Sequence, residues 1–196
     1  MKPGNYFGKL LISPDYLYDA NDDQAKNNLE RTILKLNKEE IYVLLDSYHI
    51  TYESYEHDAA YTIEDLDKMN IPHKEWIVKN LFLRDDKKRN YYLVTVPGYK
   101  TINLKKLSEK IPSRKLSFAN EESLFELLAL KKGHVTPFGI LNNTQKNVIV
   151  VFDSVLQGQK IGIHPMENTA TVFLDFENVI KLIEEYGNPV VMCDID

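Results

Sequence analysis

The chain has 196 residues, of which 43% are hydrophobic and 27% charged, as in ordinary globular proteins. This length fits one domain with a small appendage. No apolar run approaches the roughly 20 residues of a membrane span, and the N-terminal apolar run is too short for a signal peptide. The single cysteine, Cys193, excludes an intrachain disulfide. We therefore expect a cytoplasmic protein that has no membrane segment.

The net charge of −5 is unevenly distributed along the chain. Residues 79–115 carry 11 basic and 3 acidic side chains, a net charge of +8, and both flanking regions are acidic. Such a block is either a surface that binds phosphates or a solvated lysine-rich face. Charge alone does not separate these two alternatives.

Hydrophobic periodicity and capping residues predict six helices and eight strands. The chain begins with an irregular stretch and a helix, and the second helix starts at an Asn-x-x-Glu capping pattern at Asn37. The predicted helices are 21–36, 37–50, 62–69, 103–111, 120–132 and 175–187. The predicted strands are 51–57, 76–85, 90–96, 115–119, 148–153, 160–165, 169–174 and 189–193. The polar tip "DDKKRN" makes 76–85 and 90–96 a hairpin.

Helices and strands are mixed without regular βαβ alternation. This order indicates an α+β fold with a mixed, strongly curved, barrel-like sheet flanked by helices. Residues 1–36 form an N-terminal extension with one helix, and residues 37–196 form the main domain.

The common catalytic signatures are absent from the sequence. It contains no GxSxG elbow, no HExxH, no P-loop and no GxGxxG. The five histidines lack the spacing of metal ligands, and no cysteine cluster suggests zinc. We therefore predict no metal and no cofactor, and an enzyme of this sequence would lack an obvious side-chain nucleophile.

Lys79 and Asn80 are two polar residues at the start of the apolar run "LFL". Strand alternation points one of them inward. A lysine that faces a cleft can bind phosphate or a developing negative charge. The alternative is an ordinary lysine at the edge of a strand, which is the commoner case for an isolated lysine.

The segment "KKGHVTPFGI" (131–140) connects a predicted helix to a strand. Gly133 and Gly139 permit close approach of the backbone, and Pro137 fixes the chain direction. Such a loop can aim several N–H groups at one anion or carbonyl oxygen. The alternative is a helix C-cap followed by a tight turn.

The segment "GIHPMENTAT" (162–171) is the third unusual stretch. His164 precedes a proline, which favours extended backbone, and Asn168 and Thr169 can brace a loop through side-chain hydrogen bonds. A strand connection with a surface histidine explains the same pattern equally well.

Taken together and in order, four stretches resemble the YbaK/prolyl-tRNA synthetase-associated editing domain family. These stretches are "KNLFLRD", "YYLVTVPGYKTINLKKL", "GHVTPFGILNN" and "IHPMENTATVFL". The resemblance runs from about residue 37 to the C-terminus and is strongest to the freestanding ProX branch. It implies a trans-editing deacylase that hydrolyses alanine from mischarged proline tRNA, Ala-tRNA(Pro).

The resemblance also implies roles for individual residues. Lys79 matches the essential lysine that engages the 3′ end of the tRNA, and Asn80 is its usual neighbour. Gly133 and Pro137 match the GxxxP loop, whose amides face the aminoacyl carbonyl group. We place Lys79 and Gly133 among the catalytic residues, and Asn80, Pro137 and Gly139 among those that bind substrate.

Two histidines complete the implied site. His164 matches the catalytic histidine of an His-Pro pair beside the amino-acid pocket, and Ile163 lines that pocket. His57 matches a second family histidine, although Asp58 replaces the proline that usually follows it. We add His57, Ile163 and Asn168 to the substrate-binding set.

The resemblance implies tRNA as the partner and suggests prolyl-tRNA synthetase as a second one. Alternative functions are a deacylase for Cys-tRNA(Pro) or another small amino acid, or a non-catalytic module that binds tRNA or nucleotide. A plain interaction domain with a filled cleft is a further alternative. The sequence does not decide among the candidate amino acids.

Overall fold

The computed structural model describes residues 35–60, 65, 68–69 and 71–195. The unit discussed below is Leu36–Asp196. The predicted extension 1–36, with its helix 21–36, and most of the predicted helix 62–69 lie outside the described residues. Within the described part of the chain, no helix is long and apolar enough to cross a membrane.

The described helices and strands agree closely with the predicted ones. The α-helices are α1 (Lys38–Ser47), α2 (Leu104–Lys110), α3 (Glu121–Leu128) and α4 (Phe176–Tyr186). The strands are β1 (Tyr52–Glu56), β2 (Val78–Asp85), β3 (Tyr91–Pro97), β4 (Leu116–Phe118), β5 (Val148–Asp153), β6 (Lys160–Ile163), β7 (Ala170–Asp175) and β8 (Val190–Cys193). Short 3₁₀ helices occupy Lys74–Trp76, Pro137–Asn142 and Ser154–Leu156.

Capping explains where most of these helices begin. Asn37 and Glu40 form a reciprocal capping box at α1, and the side chains of Asn103 and Asn120 accept backbone N–H groups at α2 and α3. The predicted helix 120–132 is too long at its C-terminus. Helix α3 ends at Leu128 because Ala129 adopts the left-handed conformation, with φ of 58°.

The strands form two separate sheets. The larger has the order β4-β2-β3-β5-β8, with β2 antiparallel to β3 and β4, and β5 parallel to β3 and β8. The smaller is antiparallel with the order β1-β7-β6. The prediction of one strongly curved, barrel-like sheet is therefore wrong, whereas the α+β class is confirmed. Neither sheet closes, because a single isolated bridge, Ile77↔Gly162, joins them among the described residues.

Apolar side chains cover both faces of the larger sheet. On one face, Val94 and Val151 pack with Leu107 and Ile111 from α2 and the residue that follows it. On the other, Phe152 meets Phe176 of α4 edge to face, with ring centroids 4.9 Å apart. Because both faces of the larger sheet are buried, the register of β2 is fixed. The positions of Lys79 and Asn80, near the start of this strand, are fixed with it.

Candidate active site

Strand β2 carries Lys79 and Asn80 on opposite faces of the sheet. Lys79 lies opposite Val96 and Asn80 opposite Thr95, whose hydroxyl donates to Asn80 Oδ1 at 2.8 Å. Partial burial lowers the pKa of Lys79 from its ordinary value. Lys79 makes no ion pair within the described residues, so its positive charge is not neutralised there.

The bridge between the two sheets joins the segments that lead to Lys79 and to His164. Ile77 and Gly162 pair in parallel, so both chains continue in the same direction. Lys79 and His164 each lie two residues beyond that bridge, and alternation puts both on the face of their bridge residue. A Cβ on Gly162 would lie 2.5 Å from Phe173 Cε1 and 3.3 Å from Ile77 Cγ1, so the glycine leaves room for the Phe173 ring beside the bridge.

His164 is neutral, and its hydrogen bond determines which of its two ring nitrogens carries the proton. Its Nδ1 lies 3.3 Å from the carbonyl oxygen of Ala170, which can only accept a hydrogen bond, so Nδ1 carries the proton. Burial, with smaller contributions from the neighbouring His57 and His134, lowers the pKa of His164 to about 4, and the hydrogen bond with Ala170 opposes this shift only in part. The unprotonated Nε2 of His164 is therefore an acceptor at neutral pH.

His57 lies in the same region through β7. Its Nδ1 is 2.7 Å from the carbonyl oxygen of Asp58, and its Nε2 is 3.0 Å from Thr171 Oγ1. The adjacent pairing of Ile163 with Val172 puts Thr171 opposite the position of His164. Asp58 replaces the proline that usually follows this histidine in the family. His57 nevertheless contacts the 162–171 segment, which also carries His164.

The 131–140 segment joins this histidine region to β2. Thr136 Oγ1 donates to the carbonyl oxygen of His164 at 2.6 Å. The N–H groups of Gly133, Val135 and Thr136 make no hydrogen bond with the described residues, although Thr136 is fully buried. Gly133 and Val135 are half-buried, so only the Thr136 amide is both buried and unpaired, and three N–H groups without a partner within four positions suit a site for a carbonyl oxygen or an anion.

The other predicted residues of this loop serve packing. Pro137 and Gly139 are buried in the 3₁₀ helix Pro137–Asn142. A Cβ on Gly139 would lie 2.5 Å from Leu130 Cδ1, so the glycine allows the loop to lie against the end of α3. Pro137 and Gly139 thus help to position the loop, and their role in binding substrate stays a prediction.

Ile163 and Asn168 also lie in buried surroundings. Ile163 is 2% exposed and pairs with Val172. The side chain of Asn168 donates to the carbonyl oxygen of Ala60 at 3.0 Å, and the N–H of Ala60 donates back to the carbonyl oxygen of Asn168. Asn168 therefore ties the segment after His57 to the segment after His164.

Asn80 and Gly133 share a cavity of about 450 Å³. It lies beside β2, between the end of β4, α3 and the 131–136 segment. Lys79 and His164 are not among the described residues that line it. Among the described contacts, His57 and His164 thus lie in one region, and Asn80 and Gly133 line this cavity. Lys79 lies next to Asn80 on β2 and faces the other side of the sheet.

Three threonines that bond to these residues were missed by the sequence analysis. They are Thr95, Thr136 and Thr171, whose hydroxyls contact Asn80, the His164 carbonyl and His57. Thr136 lies in the stretch "GHVTPFGILNN" and Thr171 in "IHPMENTATVFL". Their place in these stretches is the sequence signal that could have pointed to them. Among the described residues, no group of His, Cys, Asp and Glu could hold a metal ion.

The basic segment 79–115 does not form one continuous surface. Lys87, Lys88 and Arg89 are exposed at the hairpin tip, about 20 Å along β2 from Lys79. Lys100 is instead paired with the fully buried Asp153 at 2.6 Å. The hairpin tip and the exposed lysines Lys105 and Lys106 of α2 are open to a partner, and further exposed basic residues are Lys110, Arg114 and Lys115.

Comparison with known proteins places the fold and the sequence in one family. Residues 57–182 match the family model of the aminoacyl-tRNA editing domain. The chain is 46% identical over 152 residues to the prolyl-tRNA editing protein ProX of Acetoanaerobium sticklandii, covering 77% of this chain and 93% of that protein. It is 32% identical over 160 residues to prolyl-tRNA synthetase associated domain-containing protein 1 of Mus musculus, covering 78% and 92%.

Solved structures agree at the level of the fold. A protein described as a candidate trans-editing enzyme for prolyl tRNA synthetase superposes with a TM-score of 0.60 at 20% identity, covering 82% of this chain and 98% of that one. The hypothetical protein APE2540 superposes with a TM-score of 0.57. With the family model spanning residues 57–182 and relatives above 30% identity over most of their length, this chain belongs to the aminoacyl-tRNA editing domain family.

Proposed function

We propose that this protein is a trans-editing deacylase that hydrolyses the ester of mischarged Ala-tRNA(Pro) in the cytoplasm. The observation that carries the proposal is the 46% identity to a prolyl-tRNA editing protein over 93% of its length. The proposed partner is the 3′ end of proline tRNA. Prolyl-tRNA synthetase, which would release the mischarged tRNA, is a second proposed partner.

The unpaired amides of the loop suit the carbonyl group of the ester. An aminoacyl ester is already activated, so hydrolysis needs a positioned water and stabilisation of the oxyanion rather than a side-chain nucleophile. The N–H groups of Gly133, Val135 and Thr136 are the donors for that oxyanion. Each such donor is worth about 10²–10³ in rate.

We assign the positive charge to Lys79 and the hydrogen-bond acceptor to His164. The ammonium group of Lys79, which makes no ion pair within the described residues, binds a phosphate of the tRNA end. A histidine with a pKa of about 4 is a weak base at pH 7, so Nε2 of His164 acts by accepting a hydrogen bond from the substrate ammonium group or from the attacking water.

Rejection of proline depends on size. The buried side chains of Ala60, Ile71 and Phe173 form an apolar cluster near His57, and in this proposal that cluster limits the amino-acid pocket to a small side chain. Steric exclusion is the effective solution here because hydrophobic binding discriminates small side chains by only about 1–3 kcal/mol.

Release of alanine from purified Ala-tRNA(Pro) tests the function. We expect Lys79→Ala to abolish turnover, while Lys181→Ala, which removes an exposed lysine of α4, remains fully active. A panel with Cys-tRNA(Pro), Ser-tRNA and correctly charged Pro-tRNA(Pro) identifies the amino acid. Binding of the tRNA without hydrolysis of any member would refute the proposal in favour of a non-catalytic module.

A further inference from the structure

A second pocket, of about 280 Å³, lies where segments of the two sheets meet. The bridge residue Ile77 lies in the chain between two of its lining residues, Trp76 and Val78. The opposite wall comes from the 3₁₀ helix Ser154–Leu156 and the start of β6. This pocket, which we name the junction pocket, shares no lining residue with the cavity beside Asn80. The proposed function uses none of its side chains.

The junction pocket has apolar walls that are open to solvent. Tyr99 is 75% exposed and Val155 is 48% exposed, and these are two of the five large hydrophobic side chains that are exposed among the described residues. Both line this pocket, together with the buried Leu156. Single apolar side chains scattered over a surface are normal, whereas several gathered in one concave patch indicate a binding site.

Trp76 forms a rigid wall of the junction pocket. Its ring stacks on the imidazole of His73, with ring centroids 4.0 Å apart and an interplanar angle of 9°. It also meets the Phe173 ring edge to face, with centroids 6.2 Å apart. Contacts with two other rings hold the indole in one orientation. A wall that is already ordered loses little conformational freedom when a ligand binds, which favours affinity.

Two opposite charges border the same pocket. Glu75 and Lys160 both line it and are exposed, and neither makes an ion pair with another described residue. The ammonium group of Lys160 lies over the Trp76 ring, 5.9 Å from its centroid. The carboxylate of Glu75 and the ammonium group of Lys160 therefore stay apart, and each can still pair with a ligand group of the opposite charge.

This combination of charges and apolar walls suits a small zwitterion. Glu75 repels a simple anion and Lys160 repels a simple cation, while an uncharged apolar molecule would cover both charges without pairing them. An amino acid offers an ammonium group, a carboxylate and a side chain for the apolar walls. The volume of about 280 Å³ is just below the range of about 300–1,000 Å³ of pockets for larger ligands, which suits a single amino acid.

We propose that the junction pocket binds a free amino acid with an apolar side chain, whose ammonium group pairs with Glu75 and whose carboxylate pairs with Lys160. The apolar side chain of the ligand then lies against Trp76, Tyr99 and Val155. A methyl group covers little of these walls, so L-leucine and L-phenylalanine should bind more tightly than L-alanine. Such a site is separate from the proposed deacylase centre and does not depend on that function.

The fluorescence of Trp76 reports binding directly, because it is the only tryptophan in the chain. Titration with L-leucine or L-phenylalanine should give a saturable change, and calorimetry should give the same Kd. N-acetyl-L-leucine lacks the ammonium charge and L-leucinamide lacks the carboxylate, so each should bind about 10-fold more weakly than L-leucine. The absence of saturable binding of all three amino acids, or equal Kd values for L-leucine and its two derivatives, would overturn the proposal.

Glu75→Gln and Lys160→Gln test the two charge contacts by calorimetry. Both side chains are exposed, so both variants should fold normally. Glu75→Gln should bind L-leucine about 10-fold more weakly and no longer distinguish it from N-acetyl-L-leucine, because the partner of the ammonium group is gone. Lys160→Gln should likewise lose its discrimination against L-leucinamide. Glu109→Gln, exposed on α2 and outside the pocket lining, is the control and should bind like wild type. Unchanged discrimination in both pocket variants would refute the assignment.

Discussion

At the scale of single residues, His164 shows how surroundings determine the chemistry of a side chain. Its imidazole is buried, donates to the carbonyl oxygen of Ala170 and has no acidic partner among the described residues. The pKa of about 4 therefore keeps it neutral at pH 7. The sequence predicted a histidine in this place, but only its packing shows that it acts as a neutral acceptor.

This neutrality predicts a loss of stability in acid. The unfolded chain protonates His164 near pH 6.5 and the folded chain near pH 4, so between these values the unfolded state binds more protons. The unfolding free energy should therefore fall as the pH decreases through this window, by up to about 3 kcal/mol from this residue. Urea denaturation from pH 7 to pH 4 measures the slope. His164→Gln should be less sensitive to pH, and an identical slope in both proteins would contradict the prediction.

Gly139 gives a second prediction at this scale. Gly139→Ala adds a methyl group 2.5 Å from Leu130 Cδ1 in a packed region, and we expect a loss of about 1–3 kcal/mol in unfolding free energy. Thermal denaturation provides the measurement. The double variant Gly139→Ala with Leu130→Ala should lose less than the sum of the two single variants, because the clash is removed. Additive losses would show that the contact with Leu130 is not the cause.

At the scale of elements, one hydroxyl group connects the glycine-containing loop to the histidine segment. Thr136 donates to the carbonyl oxygen of His164, and Asn168 connects the same segment to Ala60. These hydrogen bonds fix two stretches that are far apart in the sequence. The helix and the strand on either side of the loop were predicted, although the helix was extended beyond its observed end at Leu128. Periodicity carries no signal for a side chain that bonds to a distant backbone.

Thr136→Val tests this connection with little change in shape. Loss of the hydroxyl leaves the His164 carbonyl without that donor, at a cost of about 1–3 kcal/mol in unfolding free energy. We also expect a lower kcat for alanine release, since the loop amides are no longer held at a fixed distance from His164. Thr136→Ser keeps the hydroxyl and should retain most of the activity. Equal kcat values for the Val and Ser variants would argue against the connection.

At the scale of the whole molecule, a buried ion pair anchors the C-terminal segment. The ammonium group of Lys100 bonds to the fully buried Asp153 at 2.6 Å and to the carbonyl oxygen of Ile195 at 2.5 Å. Lys100 lies in the basic segment 79–115, for which a phosphate-binding surface was one prediction. It instead connects the segment after β3 to the end of β5 and to the residues after β8.

Lys100→Met leaves the Asp153 carboxylate buried without its cation. Such a change typically costs about 3–5 kcal/mol, and we expect the lower end because the Lys100 side chain is 22% exposed. Chemical denaturation measures the loss. Lys100→Met with Asp153→Asn should recover part of the stability, because no uncompensated charge remains. A double variant no more stable than the single one would contradict this account.

The remaining exposed basic residues predict how tRNA binding depends on salt. If Lys87 and Lys88 at the hairpin tip bind phosphates, changing both to Gln should lower the slope of log K against log salt by about one for each lysine–phosphate pair removed. Filter binding from about 50 to 200 mM salt is a suitable measurement. Lys181→Gln on α4 should leave the slope unchanged, and equal slopes for all three proteins would exclude the hairpin tip from the interface.

The sequence by itself determined the strands, the helices, the α+β class and the family, because periodicity, caps and ordered short stretches are local properties of the chain. Only the tertiary structure decided that there are two open sheets rather than a barrel, since strand pairing depends on partners far away in sequence. It also decided that Asn80 bonds to Thr95 and that Gly139 packs against Leu130. These contacts depend on pairing and burial, which no local pattern encodes.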